Sequence, residues 1–228
     1  MDTPTTAPTD VPVTTGVYNP LGPTEIRLVE ILPGAFDDPI DINISVVDLK
    51  NDPVYDALSY VWHAKDGTVD TKKPLGFAIV LNNDSYRIPI GANLDAAIRY
   101  LRFPSSQTSG AGSGQILWID ALCINQDLLS ERNHRVGLMK SIYSSAKQVL
   151  IWLGPPQNCS NLVVEVMRTG DLESYILAGT HIDLKSIRLA GFLDNLELLL
   201  RRHWFGRVWY VLQYPLLLDT KGLFYVPA

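Results

Sequence analysis

Ile116-Leu117-Trp118-Ile119-Asp120 and Gln148-Val149-Leu150-Ile151-Trp152-Leu153 are two short apolar runs. Their lengths suit strands, and near-continuous apolarity marks strands buried on both faces of a parallel sheet. Gly154-Pro155-Pro156 stops the second run,. Between them a helix is expected from about Ser130, with Glu131 in its first turn and Val136, Met139, Tyr143 and Ala146 as its apolar face,. Just upstream, Leu94, Ala97, Ile98 and Leu101 recur at helical spacing behind Asn93, a natural N-cap,. Helix and strand therefore alternate from Asn93 to Leu153, which predicts an α/β unit with a parallel sheet flanked by helices.

Working outward, Ile26–Leu32, Ile42–Leu49 and Ala57–Trp62 read as strands, the first ended by Pro33-Gly34,. Phe77–Leu81 and Ser85–Ile88 flank Asn82-Asn83-Asp84, a hairpin signal,. Pro104–Gln115 is rich in Ser and Gly and reads as a loop,. Beyond Pro156 the chain looks mostly helical, with a stripe of Leu189, Leu193, Leu196 and Leu200,. A short helix is expected around Trp204–Gln213, ended by Pro215,. Leu216–Ala228 reads as an unfinished segment, as in a shortened chain. Residues 1–24 hold seven Thr and five Pro and predict a disordered tail,. Residues 25–228 then form one domain.

Composition narrows the function classes. The chain has 228 residues, 46% of them hydrophobic and 19% charged, which is globular,. Lys plus Arg number 19 and Asp plus Glu 24, a net charge of -5. That balance lacks the footprint of a nucleic-acid binder and the basic cluster of a protein that rides anionic membranes. No apolar run reaches the roughly 18 residues of a spanning helix. Two cysteines make no disulfide framework, so a reduced compartment is expected,. The first 24 residues contain no Lys or Arg and so no signal-peptide n-region or transit sequence,. The expectation is a cytoplasmic protein.

Three segments stand out: Tyr55-Asp56-Ala57-Leu58-Ser59-Tyr60-Val61-Trp62; Leu117-Trp118-Ile119-Asp120-Ala121-Leu122-Cys123-Ile124-Asn125-Gln126-Asp127, followed by Glu131-Arg132; and Arg207-Val208-Trp209-Tyr210-Val211-Leu212-Gln213. With Asn93-Leu94 and Trp152-Leu153-Gly154 between them, they closely resemble the fungal heterokaryon-incompatibility (HET) domain over residues 55–213. That resemblance implies non-self recognition in a filamentous fungus and a death-inducing role after incompatible cells fuse. It also implies partners among other incompatibility or death-pathway proteins, or self-association. More distantly the chain resembles Toll/interleukin-1 receptor (TIR) domains, which implies a flavodoxin-like parallel core. Trp209 precedes Gln213 by the spacing of the TIR tryptophan–glutamate pair. Some TIR domains cleave the glycosidic bond of NAD, so NAD is implied as a possible substrate, with no bound cofactor and no metal. Two positions depart from the patterns. Gln213 stands where the family has Glu, and His63 stands where the first motif has Gly. An amide has the shape of a carboxylate but cannot take a proton or offset a developing cation.

The candidate residues each carry two readings. Asp120 ends a parallel strand at the edge that holds ligands in open α/β sheets, or it caps the next turn. It and Gln213 are the catalytic candidates. Ser59, Tyr60, Trp62, Asn125, Gln126, Arg132 and Trp209 are the ligand-binding candidates. Against that, Asn125, Gln126 and Asp127 build ordinary turns, and Tyr60 and Trp62 are core aromatics. Trp118 and Trp152 are core. Arg132 pairs with Asp120 or Asp127, or faces solvent. Cys123 with His134 and Asp120 suggests a cysteine nucleophile, but an apolar-flanked cysteine is more simply a small core residue. Cys159 and His181 lack metal-ligand spacing, no phosphate-binding glycine loop is present, and Arg201-Arg202-His203 reads as structural,. The signalling or interaction module leads, and a TIR-like NAD-cleaving enzyme, impaired by Gln213, is the alternative.

Overall fold

A computed structural model describes residues 17–62, 76–82, 86–102, 114–172, 182–206 and 222–225. Residues 1–16, His63, residues 104–113 of the expected loop, Trp209, Gln213, Pro215 and the segment after residue 225 lie outside the described residues. The expectation of a disordered tail over 1–24 needs correction where it is described: residues 17–24 are packed, with Val17 buried and Tyr18 and Asn19 bonded to the core. In chain order the elements are β1 (Glu25–Ile31), β2 (Ile40–Asp48), a 3-10 turn (Leu49–Asn51), β3 (Asp56–Ser59), β4 (Gly76–Val80), β5 (Tyr86–Ile90) and α1 (Ala92–Leu101). There follow β6 (Gln115–Trp118), the one-turn α2 (Asp120–Cys123), α3 (Leu129–Ser145), β7 (Val149–Trp152), α4 (Ser160–Thr169), α5 (Ile182–Leu200), a 3-10 turn (His203–Gly206) and β8 (Gly222–Tyr225).

Among the described residues the strands form one eight-stranded sheet ordered β5-β4-β2-β1-β6-β3-β7-β8. Its two halves differ. The β6-β3-β7-β8 half is parallel throughout, as the alternation around α3 predicts. The other half is mixed: β1–β2 and β4–β5 are antiparallel, β2–β4 is parallel, and β1 joins the halves by pairing antiparallel with β6. The physical reason lies in the connections. A short link such as Leu32–Pro39 can only return a strand antiparallel, whereas β6 reaches β7 through a whole helix. The sequence-predicted hairpin is β4–β5, and β1–β2 is a second one beside it. An added Cβ at Gly114 would run into the Ile31 carbonyl oxygen, so β6 approaches the end of β1 only with glycine there,.

All four residues of β7 are buried, and Trp118 and Trp152 sit in the core as expected. Leu94, Ala97, Ile98 and Leu101 form the buried face of α1. Three helix expectations need correction. The N-cap of α1 is Gly91, with no side-chain cap. Asn93 lies inside the helix, and its amide serves other elements. On α3 the buried set is Glu131, Arg135, Ile142 and Tyr143, while Val136 is 39% exposed. A charged pair, invisible to apolar periodicity, faces the sheet there. On α5 the buried residues are Phe192 and Leu199. Leu189, Leu193 and Leu200 of the expected stripe point outward, and Leu196 is half-buried. Of the helix expected over Trp204–Gln213, the described part is a 3-10 turn that buries Trp204. Among the described residues no helix is long and apolar enough to cross a membrane.

Candidate functional site

The carboxyl ends of β3, β6 and β7 lie side by side because these strands are parallel neighbours. Tyr60, Trp62, Asp120 and Leu153 all follow those ends. This edge of an open α/β sheet is where ligands bind. Ser59 is buried as the last residue of β3, and its hydroxyl accepts a hydrogen bond from Trp204 Nε1 at 2.9 Å. Tyr60 is buried and Trp62 is packed partly against the core.

Asp120 opens α2. Trp62 Nε1 lies 3.0 Å from each of its carboxylate oxygens, and the Ala121 amide donates to Oδ1 at 2.8 Å. The Asp120 backbone carbonyl accepts from Gln126 Nε2 at 3.0 Å. So the Asp120 carboxylate holds the adjacent Ala121 amide and also fastens the segment after β3 to the end of β6. Asp120 thus follows the carboxyl end of β6, while the N-cap position of α2 falls to Ile119.

A second set of bonds ties in β7 and α1. Asn93 donates from Nδ2 to the Val61 carbonyl at 2.7 Å and accepts from Trp152 Nε1 at 2.8 Å. Tyr100 lies against Trp152 with ring centroids 5.6 Å apart. One asparagine side chain thus holds the segment that carries Trp62 in line with the end of β7. Beyond β7, Arg202 donates to the Leu153 carbonyl at 2.8 Å and to Ser160 Oγ at 2.7 Å, anchoring α4.

The loop after α2 is set by Glu131. Its Oε1 accepts from the Asn125 amide at 2.9 Å and from Arg27 Nη1 at 2.5 Å. Asn125 Oδ1 accepts from the Asp127 amide at 3.1 Å, an Asx turn,. Burial alone would raise the Glu131 carboxyl. The Arg27 guanidinium and the Asn125 amide outweigh that and hold it below the usual carboxylate range,.

Hydrogen bonds link Trp62, Asp120 and Gln126, while Ser59 and Tyr60 sit at the end of β3 and Asn125 in the loop after α2. Arg132 does not join them: it is exposed on α3 and makes no ion pair among the described residues. Trp209 and Gln213 fall outside the described residues. The cysteine-nucleophile arrangement is absent. Cys123 is buried, its Sγ accepts from the Ile119 amide, and burial pushes its thiol up to about 12,. His134 is engaged elsewhere, its Nε2 donating to the Pro23 carbonyl at 2.8 Å. No group of three or more His, Cys, Asp or Glu with metal-binding geometry occurs among the described residues.

Sequence reasoning did not single out Arg27 or Trp204, gave Asn93 as an N-cap and a motif residue without its tertiary role, and gave Glu131 as a motif residue whose stated role was the helix dipole. Arg27 carried a signal: a guanidinium flanked by Ile26 and Leu28 in an apolar strand has to find a partner if that strand is central,. Asn93 acts through two side-chain bonds and Trp204 through one, all between segments far apart in the chain, and no spacing announces them.

Comparison with known proteins follows the same lines. The family model described as "Heterokaryon incompatibility protein (HET)" matches residues 55–213. "Heterokaryon incompatibility protein 6, OR allele" of Neurospora crassa is 29% identical over 227 aligned residues, covering 86% of this chain and 32% of its own. The chain thus spans about a third of that relative's length. No solved structure matches the chain. The matched region begins at Tyr55 and takes in β3, the Asp120–Asp127 loop and β7, the elements that build the edge described above. This chain belongs to the heterokaryon incompatibility (HET) family.

Proposed function

We propose that the chain acts in fungal heterokaryon incompatibility as a non-catalytic signalling module of the cytoplasm, promoting regulated cell death by contact with a second copy or with other death-pathway proteins. The observation that carries this reading is the outward stripe of Leu189, Leu193 and Leu200 on α5, with Leu193 53% exposed. Apolar side chains in a row on a surface helix mark a contact surface for a protein partner. The site edge supports the same reading. The Asp120 carboxylate is engaged by Trp62 and Ala121, and Gln213 stands in place of the family glutamate.

The position of Tyr60, Trp62 and Asp120 at the ligand-bearing edge favours a second reading, a TIR-like NAD-cleaving enzyme. The two are separated by inducing the chain in a filamentous fungus while following viability and the NAD pool, beside a nicotinamide-release assay on purified protein. The expected result is loss of viability at constant NAD, abolished by Leu193→Glu, and no release by the purified chain. Nicotinamide release by the natural chain would overturn the proposal. Release by Gln213→Glu alone would mark this copy as a silenced enzyme and leave its non-catalytic role standing.

A further inference from the structure

Residues 17–24, ahead of β1, run as a strap over α2 and α3. Val17 is buried. Tyr18 Oη donates to the Leu122 carbonyl at 3.1 Å, and the Arg27 guanidinium carbon sits 4.8 Å from the centre of its ring. The Asn19 carbonyl accepts from Arg27 Nη2 at 2.6 Å, the Gly22 carbonyl from Arg135 Nη2 at 2.9 Å, and the Pro23 carbonyl from His134 Nε2. The strap therefore supplies acceptors to two buried guanidinia.

Arg27 does more than hold the strap. Its Nη1 also donates to the Cys123 carbonyl at 3.0 Å and, with Nη2, grips both oxygens of Glu131. Glu131 in turn accepts from the Asn125 amide, and Gln126 next to it bonds to Asp120. One buried ion pair thus has the strap on one side and the site loop on the other. A buried guanidinium that loses an acceptor must find water or move. Either change releases Glu131 from the geometry that fixes Asn125.

We propose that the 17–24 strap is a latch on the Asn125–Asp127 loop. Tyr18 and Asn19 seat Arg27, Arg27 seats Glu131, and Glu131 seats the loop at the carboxyl edge of β6. Lifting the strap frees the loop before the rest of the domain opens. Any event on the N-terminal segment, such as a protein binding it or a protease cutting it, is then transmitted to the edge that carries Asp120. Tyr18 and Glu131 are positioning residues in this scheme. It holds whether that edge contacts a protein or a small molecule.

Amide hydrogen exchange on the full chain tests the latch, with Tyr18→Ala and Tyr18→Phe beside the natural protein. In Tyr18→Ala the amides from Cys123 to Asp127 are expected to exchange about tenfold faster or more, the scale set by losing one or two buried bonds. Amides of the β4–β5 hairpin and of α4 are expected to keep their rates. Tyr18→Phe, which loses only the hydroxyl, gives a smaller change in the same place and carries the comparison alone if Tyr18→Ala does not fold. Equal acceleration everywhere would make the strap a plain stabilising element and overturn the latch. Unchanged exchange at Cys123–Asp127, with the strap itself exchanging faster, would overturn it as well.

Discussion

Cys123 and Cys159 show how much a single position decides. Cys123 is buried beneath the strap with its thiol pushed up to about 12, while Cys159 is exposed ahead of α4 in a left-handed conformation, φ 54°. Since the thiolate is the reactive species, a maleimide reagent at pH 7 is expected to label Cys159 within minutes and Cys123 only when the chain unfolds. Mass spectrometry before and after denaturation checks this, and rapid double labelling of the native chain would contradict the buried assignment. At this scale the sequence was read well where one side chain has one environment. The core positions of Trp118, Trp152 and Cys123 followed from their apolar neighbours. Asp120 was legible as a residue at the ligand-bearing edge, but its bond to Trp62 joins two segments far apart in the chain, and spacing holds no record of that. Glu131 shows the opposite limit. Its place in the first turn of α3 suits the helix dipole, and that sufficient local reason hid the tertiary one,.

Among the elements, α1 and the β4–β5 hairpin were legible because each obeys one rule along its length: apolar residues at helical spacing, or strands joined by turn-forming residues. Pro89 within β5 even marks the strand as an edge, opposite Phe77,. The face of α5 was not legible. Leu189, Leu193, Leu196 and Leu200 make the more regular stripe, yet Phe192 and Leu199 fill the core. Two apolar stripes lie next to each other on this helix, and periodicity cannot choose between them. Mutation distinguishes the two. Phe192→Ala is expected to cost about 3–5 kcal/mol, as truncation of a buried aromatic does. Leu193→Glu should shift stability by no more than about 0.5 kcal/mol. Urea midpoints of the two variants measure the difference, and a large loss for Leu193→Glu would place that side chain in the core instead. A folded but non-killing Leu193→Glu is also what the proposed contact surface requires.

For the molecule as a whole, the α/β class and the parallel half were legible from the alternation between Asn93 and Leu153, whereas in the mixed half only the β4–β5 hairpin was seen as a pair and β1 and β2 as separate strands. Their order across the sheet depends on β1 pairing with both β2 and β6, a long-range choice. The buried ion pair gives the domain a pH response. The Glu131 carboxyl is held below its usual range when folded, so its contribution is complete above the ordinary glutamate value of about 4.3 and fades as pH falls through the lower folded value,. Stability is therefore expected to decline on acidification below about pH 4.3, and Glu131→Gln should flatten that decline while lowering stability at neutral pH by about 3–5 kcal/mol, as for any broken buried pair. Urea titrations at stepped pH test both, and an acid limb unchanged by the substitution would exclude Glu131 as its source. The strand order also has a consequence for synthesis. β7 is buried on both faces, and its outer neighbour β8 lies far downstream, beyond α4 and α5. While the ribosome is still adding those helices, the nascent chain carries a hydrophobic strand with an open edge. During that interval the open edge is available for pairing with a neighbouring chain on the same polysome.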